Sequence, residues 1–382
     1  MSHSDVNKNT VVPGPGLPVT RRSVLTGLGA IGLSAMGSAA CSNVSAPGAS
    51  TTTGGGGKKL ELTMFVFLGG DLGVMPKAFA KEWEASHPNV KLTIYEESNS
   101  VGYPKMVARK TTNPKSPLVH FGFFNAQTTE QGILDKMFTK LDYSAIKNAA
   151  DVRDVFKRKD QYGIGIGADQ IGLLYNAAKL GSSPQSWAEL WDPKNQGKVS
   201  FFNFPWYAVY MAAKAAGGGL DNMDPGFAVW AEHAKNIRTI VTANPEYQNV
   251  LASGTAPLTA YFNGTGHQFI KAGAPLTYTP STEGPIPVPV NLCVVDGISD
   301  DEKAATTEII DAMLDPKWNA QWAATSIEVP ANQKATLPSD LASLPGFSES
   351  AIAKLQTIDY AAVGKNTSAW SDRWKREVQA KM

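Results

Sequence analysis

Gly163-Ile164-Gly165-Ile166-Gly167-Ala168 fits the letter of the dinucleotide pattern G-x-G-x-x-G/A. That chemistry needs a buried strand before the glycines and a helix after them. Here the polar run Lys157-Arg158-Lys159-Asp160-Gln161 precedes them and strand-like residues follow. The chain's first strand-to-helix turn, where such a loop belongs, reads Leu68-Gly69-Gly70-Asp71. Ser144-Ala145-Ile146-Lys147 is an S-x-x-K without a K-T-G partner, and no G-x-S-x-G occurs. His87, His120, His233 and His267 lack the spacing of a helical zinc site, so no metal is expected. Tyr207 and Tyr210 share a helical face, which reads as packing rather than as a ferric ligand pair. No cofactor is expected.

Composition bounds the class of protein. The 382 residues are enough for two domains; 43% are hydrophobic and 18% charged, so real cores can be buried. Lys+Arg 35 against Asp+Glu 34 lacks the basic excess that nucleic-acid binding demands. With 2 cysteines a disulfide scaffold is excluded, and Cys293, inside an apolar run, reads as a small buried residue. No apolar run approaches the ~20 residues of a membrane span.

The front end reads as an export signal. Arg21-Arg22 precedes a mild apolar stretch, Val24 to Ala40, in the manner of a Tat signal peptide over 1–40. Ser38-Ala39-Ala40 before Cys41 is similar to a lipoprotein processing site, and 41–59 is a flexible polar linker. Cys41 is then a candidate lipid anchor and the sole membrane contact; plain cleavage after Ala40 is the alternative. Either way the product is exported, to the periplasm or the outer face of the cytoplasmic membrane.

From Leu60 onward strands and helices alternate, which argues for parallel sheets covered by helices. Strands are expected at 60–67, 90–95, 118–124, 171–175, 198–202, 256–262, 275–279 and 289–295. Helices are expected from Pro76, where Phe79 and Trp83 share a face, and over 102–112, 207–216, 225–238, 245–252 and 265–272. Ser186-Trp187-Ala188-Glu189 opens a short helix, and Ser299-Asp300-Asp301-Glu302 caps another through Leu314. A final amphipathic stretch carries Trp370 and Trp374. Phe204-Pro205-Trp206 lies where a strand hands over to a helix, so Trp206 either stacks on a ligand or covers the helix behind it.

Tyr162 to Asn176 resembles the lobe-crossing segment of bacterial ABC-transporter solute-binding proteins. Ser186-Trp187-Ala188-Glu189-Leu190-Trp191-Asp192-Pro193 with Gly197-Lys198-Val199 is similar to their SWxxLWDPxxxGKV stretch, and Pro280 to Gly284 to the return crossing. The spermidine/putrescine-like branch is the nearest. The resemblance implies an α/β, two-lobed type II periplasmic-binding fold: lobe 1 from 60–167 and 288–382, lobe 2 from 168–287, joined by two crossing strands. It implies a monomer that is not an enzyme and that passes a small molecule to membrane permease subunits. An exported α/β enzyme is the alternative, which the absence of a cofactor motif disfavours.

On that reading Asp71, Asp169 and Glu283 offer carboxylates to a cationic chain, with Trp206 to stack on it. Asn125, Asn203, Tyr261 and Asn263, near the ends of expected strands, complete the ligand-binding candidates. After Glu283-Gly284 stands Pro285-Ile286-Pro287-Val288-Pro289, where the polyamine branch places a Trp and an Asp. The solute therefore stays open between a polyamine or related organic cation and thiamine, ferric ion, an organic acid or a phosphonate.

Overall fold

Strand β1 (Leu60–Phe67) buries Leu62, Met64, Phe65 and Val66, so side chains on both faces are covered. Two-sided burial is what a parallel sheet under helices requires. β1 pairs in parallel with β2 (Val90–Glu97) and β3 (Phe121–Asn125), with α1 (Val74–Ser86) and α2 (Asn99–Thr112) as the connections. The expected face of α1 forms: Phe79 stacks on Trp83 at 5.6 Å between ring centroids and meets Trp318 edge-on at 5.1 Å. The computed structural model describes residues 59–68 and 71–382. Arg21, Arg22, Cys41, the expected signal peptide and nearly all of the 41–59 linker lie outside those residues.

Helix α3 (Ala126–Leu134) and β4 (Phe138–Thr139) lead into β5 (Ile164–Tyr175). After α4 (Ala177–Leu180) come β6 (Val199–Phe202), α5 (Trp206–Ala215), α6 (Asp224–Glu232), β7 (Ile237–Val241) and α7 (Asn244–Ser253). Then follow β8 (Leu258–Phe262), α8 (Asn263–Lys271), β9 (Thr277–Thr279) and β10 (Ile286–Val295). The tail holds α9 (Asp300–Met313), α10 (Pro316–Ser326), β11 (Val329–Pro330), α11 (Ser339–Ala342), α12 (Glu349–Ile352) and α13 (Tyr360–Glu377). The strands order as β2-β1-β3-β10-β5-β8-β6-β7, with β4 on β10 and β9 and β11 on β5.

The two longest strands, β5 and β10, run antiparallel through the middle of this order. Along β5 the partners change from β10 and β11, opposite Gly167 and Ala168, to β8 and β9, opposite Leu173 to Tyr175. Asp169 sits at that handover.

Several expectations shift. The glycine-rich stretch is itself strand, and its glycines serve packing. A Cβ on Gly167 would lie 2.9 Å from the Val329 carbonyl and 3.0 Å from Trp322 Nε1, so only glycine lets β11 and Trp322 approach. The helix expected through 238 ends at Glu232, because the β-branched run from Ile237 pairs with β6 instead. β10 begins at Ile286 despite Pro287 and Pro289, since β3 pairs with it only from Val290 onward and the open edge needs no proline N–H. At α9 the expected capping box forms between Ser299 and Glu302.

Two main cores flank the strands. One gathers β1, β3, α1, α9 and α10 around Phe123, Trp318 and Trp322; the other gathers β6, α5 and α6 around Trp187, Phe201 and Trp230. The expected division put all of 288–382 with the first group. Instead α13 buries Tyr360, Val363 and Trp374 in the second core, Trp374 lying 5.8 Å from Trp230. No helix among the described residues is long and apolar enough to cross a membrane.

Candidate functional site

Period-2 alternation makes β10 a two-faced wall. Val288 and Val290 face one cavity, while Pro287, Pro289 and Asn291 face another. The second, of about 640 Å³, carries charges that already satisfy one another: Arg158 bonds Glu130 and Asp160, both at 2.6 Å. The first, of about 370 Å³, gathers the loops that follow β1, β3, β6, β7 and β8, the strand ends where open α/β sheets bind ligands.

Five of the expected residues meet there: Asp71, Asn125, Asp169, Trp206 and Tyr261. Asn125 caps α3, its side chain accepting from Thr128 N at 2.9 Å, which fixes it at the rim. Trp206 opens α5. It lines the cavity and it packs, its ring at 6.0 Å and edge-on to both Tyr207 and Tyr360. The Tyr261 hydroxyl donates to Asn244 Oδ1 at 2.6 Å, which orients both at one end.

Three expected residues lie elsewhere. Glu283 is exposed on the surface, where it accepts from Ser186 Oγ and from Thr282 Oγ1, the latter at 3.2 Å. It tethers the turn before Trp187 instead of facing the cavity. Asn203 is exposed in a left-handed turn with φ 54°, its backbone N–H donating to Val241 at 2.9 Å. Asn263 is fully buried beneath the cavity, its Nδ2 donating to the Ile327 carbonyl at 3.4 Å.

Glu328, Tyr207 and Asn244 line the cavity without having been expected to. Val329 pairs with Ala168, so the antiparallel register sets Glu328 across from Asp169 on the same face. Asp169 Oδ1 accepts from Gln170 N at 2.7 Å and from Gly264 N, at the start of α8, at 3.0 Å. Burial pushes the Asp169 carboxyl up to about 7, against the downward pull of those amides and that of Asn263. Burial, helped by the neighbouring Asp169, raises Glu328 well above the usual carboxylate range although Trp322 Nε1 donates to it at 2.8 Å. The Tyr207 hydroxyl is buried at the cavity without a hydrogen-bond partner among the described residues, and a ligand group could satisfy it.

Chemically, the lining combines acidic groups with aromatic faces. Carboxyls sit beside aromatic walls from Phe67, Phe202, Trp206 and Tyr360, and no Lys, Arg or His is among the described lining residues.

Residues 78–349 match the family described as bacterial extracellular solute-binding protein. Comparison with curated proteins gives no match. Among solved structures, an ABC transporter from Clostridium perfringens is 20% identical with a TM-score of 0.71, over 84% of this chain and 100% of that one. The spermidine/putrescine ABC transporter substrate-binding protein PotD from Streptococcus pneumoniae is 16% identical with a TM-score of 0.68, over 85% and 100%. The periplasmic binding protein AfuA from Actinobacillus pleuropneumoniae, with fructose-6-phosphate bound, is 18% identical with a TM-score of 0.61, over 84% and 99%. The shared fold is the type II periplasmic-binding fold, two α/β lobes joined by crossing strands, the part played here by β5 and β10. With most of its length matched to the family, this chain belongs to the bacterial extracellular solute-binding proteins.

Proposed function

We propose that the protein captures a small organic cation, with polyamines and related amines favoured, and hands it to the permease of an ABC importer. The observation that supports this reading is the charge of the cavity: Asp71, Asp169 and Glu328 line it with no basic side chain among the described lining residues. A desolvated ammonium needs carboxylates around it, and aromatic faces add cation–π attraction along an alkyl chain. A phosphate or organic acid would meet like charges and find none of the Arg or Lys donors that such anions require. One neighbour of the same fold carries spermidine/putrescine in its name; another was solved with a sugar phosphate, so the fold alone does not choose.

The role is capture and delivery, not catalysis. Closure of two lobes, one built mainly from 60–167 and 288–382 and the other from 168–287, buries the ligand, and the permease distinguishes the closed shape. α13 travels with the second lobe's core on this view. A ligand at ~100 times its Kd should stabilise the fold by ~2.7 kcal/mol through mass action. A thermal-shift panel of amines, amino acids, organic acids, phosphonates, thiamine and metal ions tests the class, with scattering to follow compaction. A panel in which only anions raise the melting temperature overturns the reading.

Export through Arg21-Arg22 and anchoring at Cys41 belong to the same proposal. Lysine at both arginine positions should hold the precursor inside the cell, and Cys41→Ser should release exported protein from membranes. Full export of the double lysine variant, or unchanged membrane association of Cys41→Ser, counts against the respective assignment.

A further inference from the structure

Beside Asp71 and Asp169 the cavity lining holds Glu328, a carboxyl to which the sequence did not point. α10 ends at Ile327 in a left-handed conformation, φ 58°, which is costly for a β-branched residue. Such strain persists where surrounding structure over-determines it. That turn carries Glu328 to the edge of β5, opposite Asp169 and against the same cavity. We infer that Asp169 and Glu328 form one paired carboxyl seat, sharing a proton while the cleft is empty and yielding it to an arriving ammonium group. The inference rests on the cationic reading of the cavity and adds the residue and the exchange by which the cation is held.

The surroundings favour this arrangement. Around Asp169 stand the α8 amides of Asn263 and Gly264, Tyr261 from β8, Tyr278 from β9 and Val288 from β10. Around Glu328 stand Trp322 from α10 and Asp169 itself. None of these is a fixed cation. His267, also on α8, packs its ring near Tyr278 and does not line the cavity. Two carboxyls that face one cavity, with no fixed cation beside them among the described residues, cannot both ionise cheaply, so they hold a proton between them. A primary ammonium supplies both the charge and several N–H donors, and its entry lets that proton leave to solvent with charge conserved. Both carboxyls turn with raised affinity toward protons, in the direction this sharing demands.

Carboxyl 13C NMR of the full chain labelled at Asp and Glu tests this without knowing the natural ligand. In the empty wild type Asp169 should titrate near neutrality and Glu328 above the usual carboxylate range, and Asp169→Asn should lower the Glu328 midpoint by about one pH unit or more as the like charge goes. Glu328→Gln, read from the Asp169 signal, should raise that midpoint as the donor of the shared proton goes, which serves should the first variant fold poorly. Methylammonium or 1,4-diaminobutane should lower the wild-type midpoint, and tetramethylammonium at equal ionic strength should lower it less. A Glu328 that titrates in the ordinary carboxylate range, or is unmoved by Asp169→Asn, overturns the pairing while leaving any cation binding intact. A pair that titrates together but ignores both amines overturns the exchange and the cationic reading with it.

Discussion

Asp169→Asn is expected to weaken capture of a cationic ligand by at least tenfold, about 1.4 kcal/mol, while the empty protein becomes no less stable. The loss in binding arises because the ammonium would lose its charged partner in a desolvated seat, where truncation leaves a buried unpaired charge. The stability claim follows from linkage. Burial raises the Asp169 carboxyl to about 7 in the folded protein. The unfolded chain ionises it near ~4. Between these values the folded state binds more protons, so stability falls as pH rises through that window. Removing the charge removes that fall, and the variant should gain over wild type above pH ~7 but not below ~4. Glu283→Gln serves as the contrast. Its carboxylate is held by Ser186 and Thr282 outside the cavity, so binding should be unchanged. Calorimetry and pH-dependent melting of the two variants decide the matter; equal losses of affinity would put the ligand near the turn at Glu283 instead.

Trp322→Ala should destabilise the protein by about 3–5 kcal/mol, the range for removing a buried tryptophan. The indole is fully buried and stacks on Phe123 at 4.8 Å, closing the first core beneath the seat. Its Nε1 also donates to Glu328 at 2.8 Å, so the alanine variant leaves a buried carboxyl without its donor. Trp322→Phe keeps a ring against Phe123 but loses the donor and part of the buried ring volume, and should cost less than the alanine variant, about 1–3 kcal/mol. Urea unfolding with unchanged m-values would report both. A phenylalanine variant as unstable as the alanine one would shift the weight from packing to the hydrogen bond.

Local pattern carried much of the fold. β1, the Phe79–Trp83 face of α1 and the capping box at Ser299 follow from residue type and spacing over a few positions. β7 did not, because a helical reading of 225–238 ran through Asn236, whose side chain instead bonds the carbonyls of Leu190 and Asp192 at 3.2 and 2.8 Å. That contact joins segments more than forty residues apart, and no local window contains it.

The site divides along the same line. Asp71, Asn125 and Trp206 stand at strand-to-helix handovers, which the alternation of elements marks in advance. Glu328 enters only through the two-residue strand β11 and its pairing with Ala168, far away in sequence. Glu283 shows the converse: a carboxylate at the return crossing, with suitable chemistry, is turned outward by Ser186. Tyr207 was visible as one of a helical pair, but its unpartnered hydroxyl is a property of the assembled cavity.

The cleft is expected to select positive charge. Calorimetric titration with 1,4-diaminobutane, 4-aminobutyrate and succinate compares ligands of matched length whose net charge falls from positive through zero to negative. Binding should be strongest for the diamine, weaker for the zwitterion and absent for succinate, with the diamine's affinity lost in Asp169→Asn. Tightest binding by succinate, or diamine binding untouched by Asp169→Asn, would contradict it.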